Sequence, residues 1–308
     1  GSVVAALADG IHMIIVGRVL QGAGAISAAV TALAADLTRD QHRTKVMAMI
    51  GSSIGLVFAL SMVAAPLLYQ AVGMDGIFWL TAALALGAIG VILWAVPAAP
   101  PVPRANAGSF LGVLRDGQLM RLNFGVFALH LIQTTMWVMV PAALVTGGGL
   151  ALADHWKVYL PAVLVSFVIM VPAVIIAERH DRLKQVFNAA VLLLALVQFG
   201  LYLFGDALIP LALLLTLFFV AFNILEATQP SWISRIAPPA SKGTALGVYN
   251  TLQSIGLFLG GLVGGWLGQQ YGAGAVSLAC GALALLWLAL AATMNPPPLR
   301  VAPAATRG

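Results

Sequence analysis

Long runs of consecutive apolar residues, each about the twenty residues that a helix needs to cross a bilayer, limit what this chain can fold into. Charge clusters, Gly and Pro divide the sequence into nine such runs: Ile11–Ala35, Val46–Tyr69, Ile77–Val96, Leu122–Val145, Val158–Ala177, Val186–Phe204, Leu208–Ser231, Ala245–Leu267 and Ala273–Met294. Gly1–Ala8 reads as the tail of a tenth. Backbone in lipid has to satisfy its own hydrogen bonds, which helices do within one segment. A membrane β-barrel would alternate polar and apolar residues in short strands, and these runs do not. The expected class is therefore an all-α integral membrane protein with about nine complete transmembrane helices and the end of another.

Composition closes the other routes. Charged residues make up 8% of the chain and hydrophobic ones 61%, whereas a soluble domain keeps roughly a quarter of its residues charged. The net charge of +5 does not imply nucleic acid, because the basic residues sit singly or in small groups between apolar runs. Cys280 is the single cysteine, so neither an internal disulfide nor a Cys-based metal site is expected.

Lys and Arg set the orientation. Of the fifteen, thirteen fall in every second loop or in the tail: Arg39, Arg43, Lys45; Arg104, Arg115, Arg121; Arg179, Arg182, Lys184; Arg235, Lys242; Arg300, Arg307. The exceptions are Arg18, inside the first span, and Lys157, at the mouth of another. The positive-inside rule makes the basic loops cytoplasmic.

One hydrophilic stretch, residues 98–118, is rich in Pro and Ala and ends in the short amphipathic SFLGVLRD, which reads as a cytoplasmic linker. It separates residues 1–97 from residues 119–295, and 296–308 form a cytoplasmic tail. The two sides echo each other. Ser53-Ile54-Gly55-Leu56 recurs as Ser254-Ile255-Gly256-Leu257, each after a cytoplasmic loop that carries Lys and Thr. Parallel six-helix repeats related by an axis along the membrane normal would produce such matched context.

Several motifs have a family likeness. Gly17-Arg18-Val19-Leu20-Gln21-Gly22-Ala23-Gly24 resembles the fourth-helix signature of the major facilitator superfamily. The run from Gly51 through Gly55 to Ala65-Pro66 resembles the fifth-helix motif of its drug/proton antiporters, with Ala65 where that motif carries Gly. Asn223-Ile224-Leu225-Glu226 and Lys242 through Tyr249 are similar to YajR-type efflux transporters. The resemblance implies the major facilitator fold, two pseudo-symmetric six-helix halves. On it, residues 1–97 hold the end of helix 3 and helices 4–6, and residues 119–295 hold helices 7–12. Two helices and most of a third, about 75–90 residues, would then precede Gly1.

The polar residues inside the spans are the candidate coupling or substrate-pathway groups. Arg18 lies about two turns inside a span, where a guanidinium is costly unless paired or hydrated. Gln21 is one turn on and is its expected partner; the family reading gives the pair a role in coupling, and the alternative is a lock on helix packing. Glu226 is the one carboxylate deep within an apolar run, with Asn223 three residues before it and Gln229 three after. Such a carboxylate can take up and release a proton during transport, or can stay neutral and only position helices. His130 shares a face with Asn123, Gln133 and Thr134, and Trp137 extends that face with an aromatic wall suited to apolar or cationic molecules. A buried, satisfied histidine is the alternative there.

In the resembled architecture the first helix of each three-helix unit lines the cavity. Ile11–Ala35, Leu122–Val145 and Leu208–Ser231 hold these positions and the polar groups, while peripheral Ile77–Val96 and Ala273–Met294 hold little beyond Thr81 and Ser277. Gly51/Gly55 and Gly256/Gly260/Gly264 form small-residue ridges on helices assigned to the interface between halves, where close approach permits rocking or simply tight packing. Asp181 and Arg182 occupy the place of the family's cytoplasmic gate motif in the second half, with a merely solvated charge cluster as the alternative.

The expected function is secondary active transport: proton-coupled efflux of a small amphipathic molecule by alternating access. Proton symport or uniport of a nutrient is the second reading. A lipid-modifying membrane enzyme is the third, disfavoured because no acidic or His cluster marks the membrane surface. No cofactor or metal is expected, and a proton gradient would be the energy source. The partners would be the lipid bilayer, a small-molecule substrate and protons, with no nucleic acid. The chain is expected to act as a monomer in a bacterial inner membrane with its linker and C-terminus cytoplasmic.

Overall fold

The computed structural model describes residues 1–23, 30, 33–34, 37–38, 40–97, 110–238 and 241–296, and every element among them is helical. In chain order these are α1 (Ser2–Ala6), α2 (Ile11–Ala23), α3 (Asp40–Trp94), α4 (Phe110–Arg115), α5 (Gly117–Thr146), α6 (Trp156–Arg179), α7 (Leu183–Phe204), α8 (Leu208–Ile236) and α9 (Lys242–Ala292). A 3-10 turn, Leu152–Asp154, precedes α6.

Six helical segments among the described residues are long and apolar enough to cross a membrane: Leu60–Trp94, Gly117–Thr146, Leu152–Arg179, Leu183–Phe204, Leu208–Ile236 and Lys242–Ala292. Nine spans were expected, and the difference has a local origin. Two pairs of expected spans each run as one long element, α3 and α9, and the first expected span is described as helix only over Ile11–Ala23. At 51 residues α9 would be about 75 Å long if straight, more than twice the hydrocarbon thickness of a bilayer. It is not straight: Gly272 has φ 80° and ψ 174°, and Gly73 breaks α3 in the same way at φ 69°. Only glycine enters that region without strain, so the reversals expected at 70–76 and 268–272 reduce to one residue each.

The chain divides into two compact units, Gly1–Pro103 and Arg104–Gly308, with the division inside the expected linker. Within the first, α1 lies against α2. A Cβ on Gly17 would sit 2.8 Å from the Ala5 nitrogen and 2.8 Å from the Gly1 carbonyl, so the two backbones touch there.

The second unit contains the better-defined core. Asp116 caps α5, its carboxylate accepting from the backbone N–H groups of Gln118 (2.8 Å) and Leu119 (3.1 Å). Leu122, Val126, Leu129, Ile132 and Leu144 then follow on the buried side of that helix. Phe187 of α7 meets the rings of Trp232 on α8 and Trp287 on α9 edge-on, at 5.2 and 5.9 Å. These three fully buried rings hold three helices at one level. Facing outward are Val168, Ile209, Leu213 and Phe258, all largely exposed. So much exposed apolar surface suits lipid, not water, as the solvent.

Candidate functional site

The site grows from one hydrogen bond on α5. His130 is buried, and its Nδ1 lies 2.9 Å from the Val126 carbonyl oxygen one turn earlier. A carbonyl only accepts, so Nδ1 carries the hydrogen, and a neutral ring must leave a bare lone pair on Nε2. That nitrogen faces two groups from other helices. Gln253 of α9 places its amide nitrogen 2.7 Å away and donates to it. Glu226 of α8 places Oε2 at 3.5 Å, beyond a good hydrogen bond. The Glu226 Oε2 atom is itself buried and has no hydrogen-bond partner. Two titratable side chains that sequence spacing treated separately are therefore one site, completed by a glutamine that was not anticipated.

The remaining candidates divide by the face they take. Asn223 donates to Ser166 Oγ of α6 at 2.8 Å, and Ser166 in turn donates to the Val163 carbonyl at 2.6 Å. It thus ties α8 to α6 and does not join the His130 site. Gln229 is fully buried with both side-chain polar atoms unpartnered. Asn123 is also buried, and its amide reaches only Met120 Sδ at 3.7 Å, with Oδ1 unpartnered. The single polar stripe expected on α8 is in fact a set of separate contacts, because residues three and six apart diverge around a 3.6-residue helix and meet different neighbours.

Trp137 stacks on Tyr159 of α6 with ring centroids 5.3 Å apart and an interplanar angle of 17°. Phe219 meets both rings edge-on, at 6.3 and 6.4 Å. Gln133 borders the same small cavity beside Phe218 and Phe219. From there Phe218 stacks on Phe222 at 5.9 Å, and Phe222 reaches the His130 ring at 5.8 Å. An aromatic chain therefore runs from Tyr159 to the His130–Glu226 pair.

In the first unit Arg18 is exposed and donates to Gln21 Oε1, and Gln21 donates onward to Ser2 Oγ at 2.7 Å. The close-packed glycine of α2 is Gly17, whereas a Cβ on Gly22 would meet nothing within 4 Å among the described residues. Gly24 lies outside the described residues, as do the surroundings of Gly51 and Gly55, which fall within α3. Pro66 lies inside α3, which continues through it.

The glycine ridge on α9 packs closely against α5. A Cβ on Gly256, Gly260 or Gly264 would come within 2.4, 2.3 and 2.8 Å of Phe127 O, Leu131 O and Thr135 Cγ2 of α5. The ridge is thus spent inside the second unit, and Thr135 Oγ1 uses the approach to donate to the Gly260 carbonyl at 2.9 Å. Asp181 closes a helix. It sits at φ 53°, and Arg182 N–H returns to the Ala177 carbonyl at 3.0 Å, ending α6 in a left-handed cap. A charge contact at this end is made by Glu178, which pairs with Arg235 of α8 and accepts from Ser231 Oγ at 3.2 Å.

The family model of the Major Facilitator Superfamily matches residues 1–261 and 122–308, which together cover the whole chain. The chain belongs to the Major Facilitator Superfamily. It is 44% identical over 303 residues to the inner membrane transport protein YajR of Escherichia coli, covering 97% of this chain and 66% of that protein. The chain thus spans just under two thirds of that relative's length. It is also 27% identical over 165 residues to the multidrug resistance protein MdtH of Aeromonas hydrophila, 53% of this chain and 39% of that one. Among solved structures, the human organic anion transporter MFSD10 superposes with a TM-score of 0.68 at 21% identity, over 94% of this chain and 73% of that one. These matches establish a multi-pass membrane protein of a transporter family with the major facilitator fold.

Proposed function

We propose that the protein is a proton-coupled exporter of small amphipathic, drug-like molecules, working by alternating access in a bacterial inner membrane. The observation that carries this reading is the His130–Glu226 pair, in which Nε2 and Oε2 stand 3.5 Å apart in the middle of two membrane helices. Ionisable groups at that depth are expensive and mark proton or substrate pathways. A carboxylate and an imidazole at this spacing can hold one proton between them and release it when one partner moves. The aromatic chain from Phe222 to Trp137 and Tyr159 supplies apolar, stackable surface leading away from the pair. The relative named for multidrug resistance supports export over uptake. On this reading the basic loops face the cytoplasm.

The test uses the full-length protein in proteoliposomes with an imposed proton gradient and ethidium as the transported probe. Glu226→Gln is expected to abolish uphill movement of the dye while leaving gradient-free dye exchange. Undiminished gradient-driven transport by Glu226→Gln at every pH would remove the pair from the mechanism. Dye movement in the same direction as the protons would mark symport instead.

A further inference from the structure

We infer that Gln253 and Glu226 are competing partners for a single atom, His130 Nε2, and that their exchange links the protonation of this site to helix α9. The inference rests on the proton-coupled reading above and adds a positioning residue to it.

The argument is one of donors and acceptors. With Nδ1–H committed to the Val126 carbonyl at 2.9 Å, the neutral ring offers one lone pair, and the Gln253 amide occupies it at 2.7 Å. Glu226 Oε2, at 3.5 Å, is then left buried without a hydrogen-bond partner. A proton arriving on Nε2 inverts these preferences. The atom becomes a donor, the Gln253 N–H is now donor against donor, and the carboxylate becomes the fitting acceptor. Gln253 must therefore withdraw from the ring as Glu226 closes on it.

The exchange is a side-chain rotation and not a separation of helices. Gly256 lies three residues beyond Gln253, and its Cβ position would fall 2.4 Å from the Phe127 carbonyl, so the backbones of α9 and α5 already touch. Gln253 thus meets His130 at a distance set by backbone contact. The titratable groups facing the pair are few. Glu226 comes from α8, and Tyr249 lies on α9 one turn before Gln253, with a buried hydroxyl that has no hydrogen-bond partner. Gln253 is the α9 side chain bonded to His130, so a change of proton there is felt on that helix.

The experiment is nitrogen NMR on the chain in lipid bilayers with 15N-labelled histidine. The five histidines are few enough to assign His130 by its loss in His130→Gln. In the wild type at alkaline pH, His130 is expected as the Nδ1–H tautomer with a hydrogen-bonded Nε2. On acidification its Nε2 should become a donor. Gln253→Leu removes both amide groups at similar volume. The alkaline Nε2 resonance should then move to the position of an unbonded lone pair, while the acid-form resonance stays near the wild-type value. Thr251→Leu, on an exposed face of the same helix, should move neither. An alkaline Nε2 resonance unmoved by Gln253→Leu would overturn the exchange and leave the proton site standing. A His130 that keeps one protonation state across the whole pH range would overturn both.

Discussion

Gly260→Ala is the perturbation whose size the structure defines most directly. An added Cβ would lie 2.3 Å from the Leu131 carbonyl oxygen and 2.9 Å from its Cα, both backbone atoms that cannot rotate away. Relief to ordinary contact requires α9 to retreat from α5 by about 1 Å, and overpacking of this kind costs about 1–3 kcal/mol. The retreat also stretches the Thr135 Oγ1 bond to the Gly260 carbonyl, now 2.9 Å, and interhelical hydrogen bonds of this type contribute about 0.6 kcal/mol in membranes. Set against the up to about 1 kcal/mol that Ala gains over Gly in a helix, the expected net loss is about 1–3 kcal/mol. Gly265→Ala is the control, because its Cβ would meet nothing within 4 Å among the described residues. It should be neutral or gain up to about 1 kcal/mol in helix propensity. Cys280, the chain's one cysteine and a buried one, provides the assay. A thiol-reactive dye reports its exposure as detergent-solubilised protein is heated, so Gly260→Ala should unfold several degrees below wild type. Equal melting temperatures for Gly260→Ala and Gly265→Ala would refute the claim that backbone contact sets the α5–α9 spacing.

Two further outcomes follow from the end of the second unit that carries Glu178, Asp181 and Arg235. Arg235→Ala leaves Glu178 without its ion pair in a setting where the two side chains are 13% and 21% exposed. The loss should fall between the roughly 1 kcal/mol of a surface pair and the roughly 3–5 kcal/mol of a buried one, read in the same thermal assay. Replacing both partners with apolar residues of similar size should recover most of that loss. Asp181→Gly should be neutral or stabilising by about 0.5–1 kcal/mol, since Asp181 already occupies the left-handed cap that glycine enters freely. A destabilised Asp181→Gly would instead show that the carboxylate itself is needed.

Individual residues show how far the order of amino acids was informative. Arg18 with Gln21 could be read directly, because three residues is one helical turn and the partner lies on the same helix. Gln253 could not. It meets His130 across 123 positions of chain, and nothing local to its segment distinguishes it from any other glutamine in an apolar helix. The glycine ridge of α9 was visible as spacing, but spacing does not say which neighbour fills it; the structure puts α5 there, through Phe127, Leu131 and Thr135. Asp181 stands in a charged loop whose sequence allows either a gate contact or a solvated cluster; only the backbone angle reveals that it also terminates a helix, beside an ion pair made by Glu178.

What the sequence alone determined is the solvent and the class of the fold. Apolar runs about twenty residues long can satisfy their backbone only as helices in lipid, and that holds whatever their neighbours are. Its motifs also carried the family likeness. The tertiary structure decided which polar groups share a site. His130, Glu226 and Gln253 come from three helices, and whether two side chains meet depends on the rotation and depth of each helix. Those are fixed by packing such as the α5–α9 backbone contact, which no single segment encodes by itself.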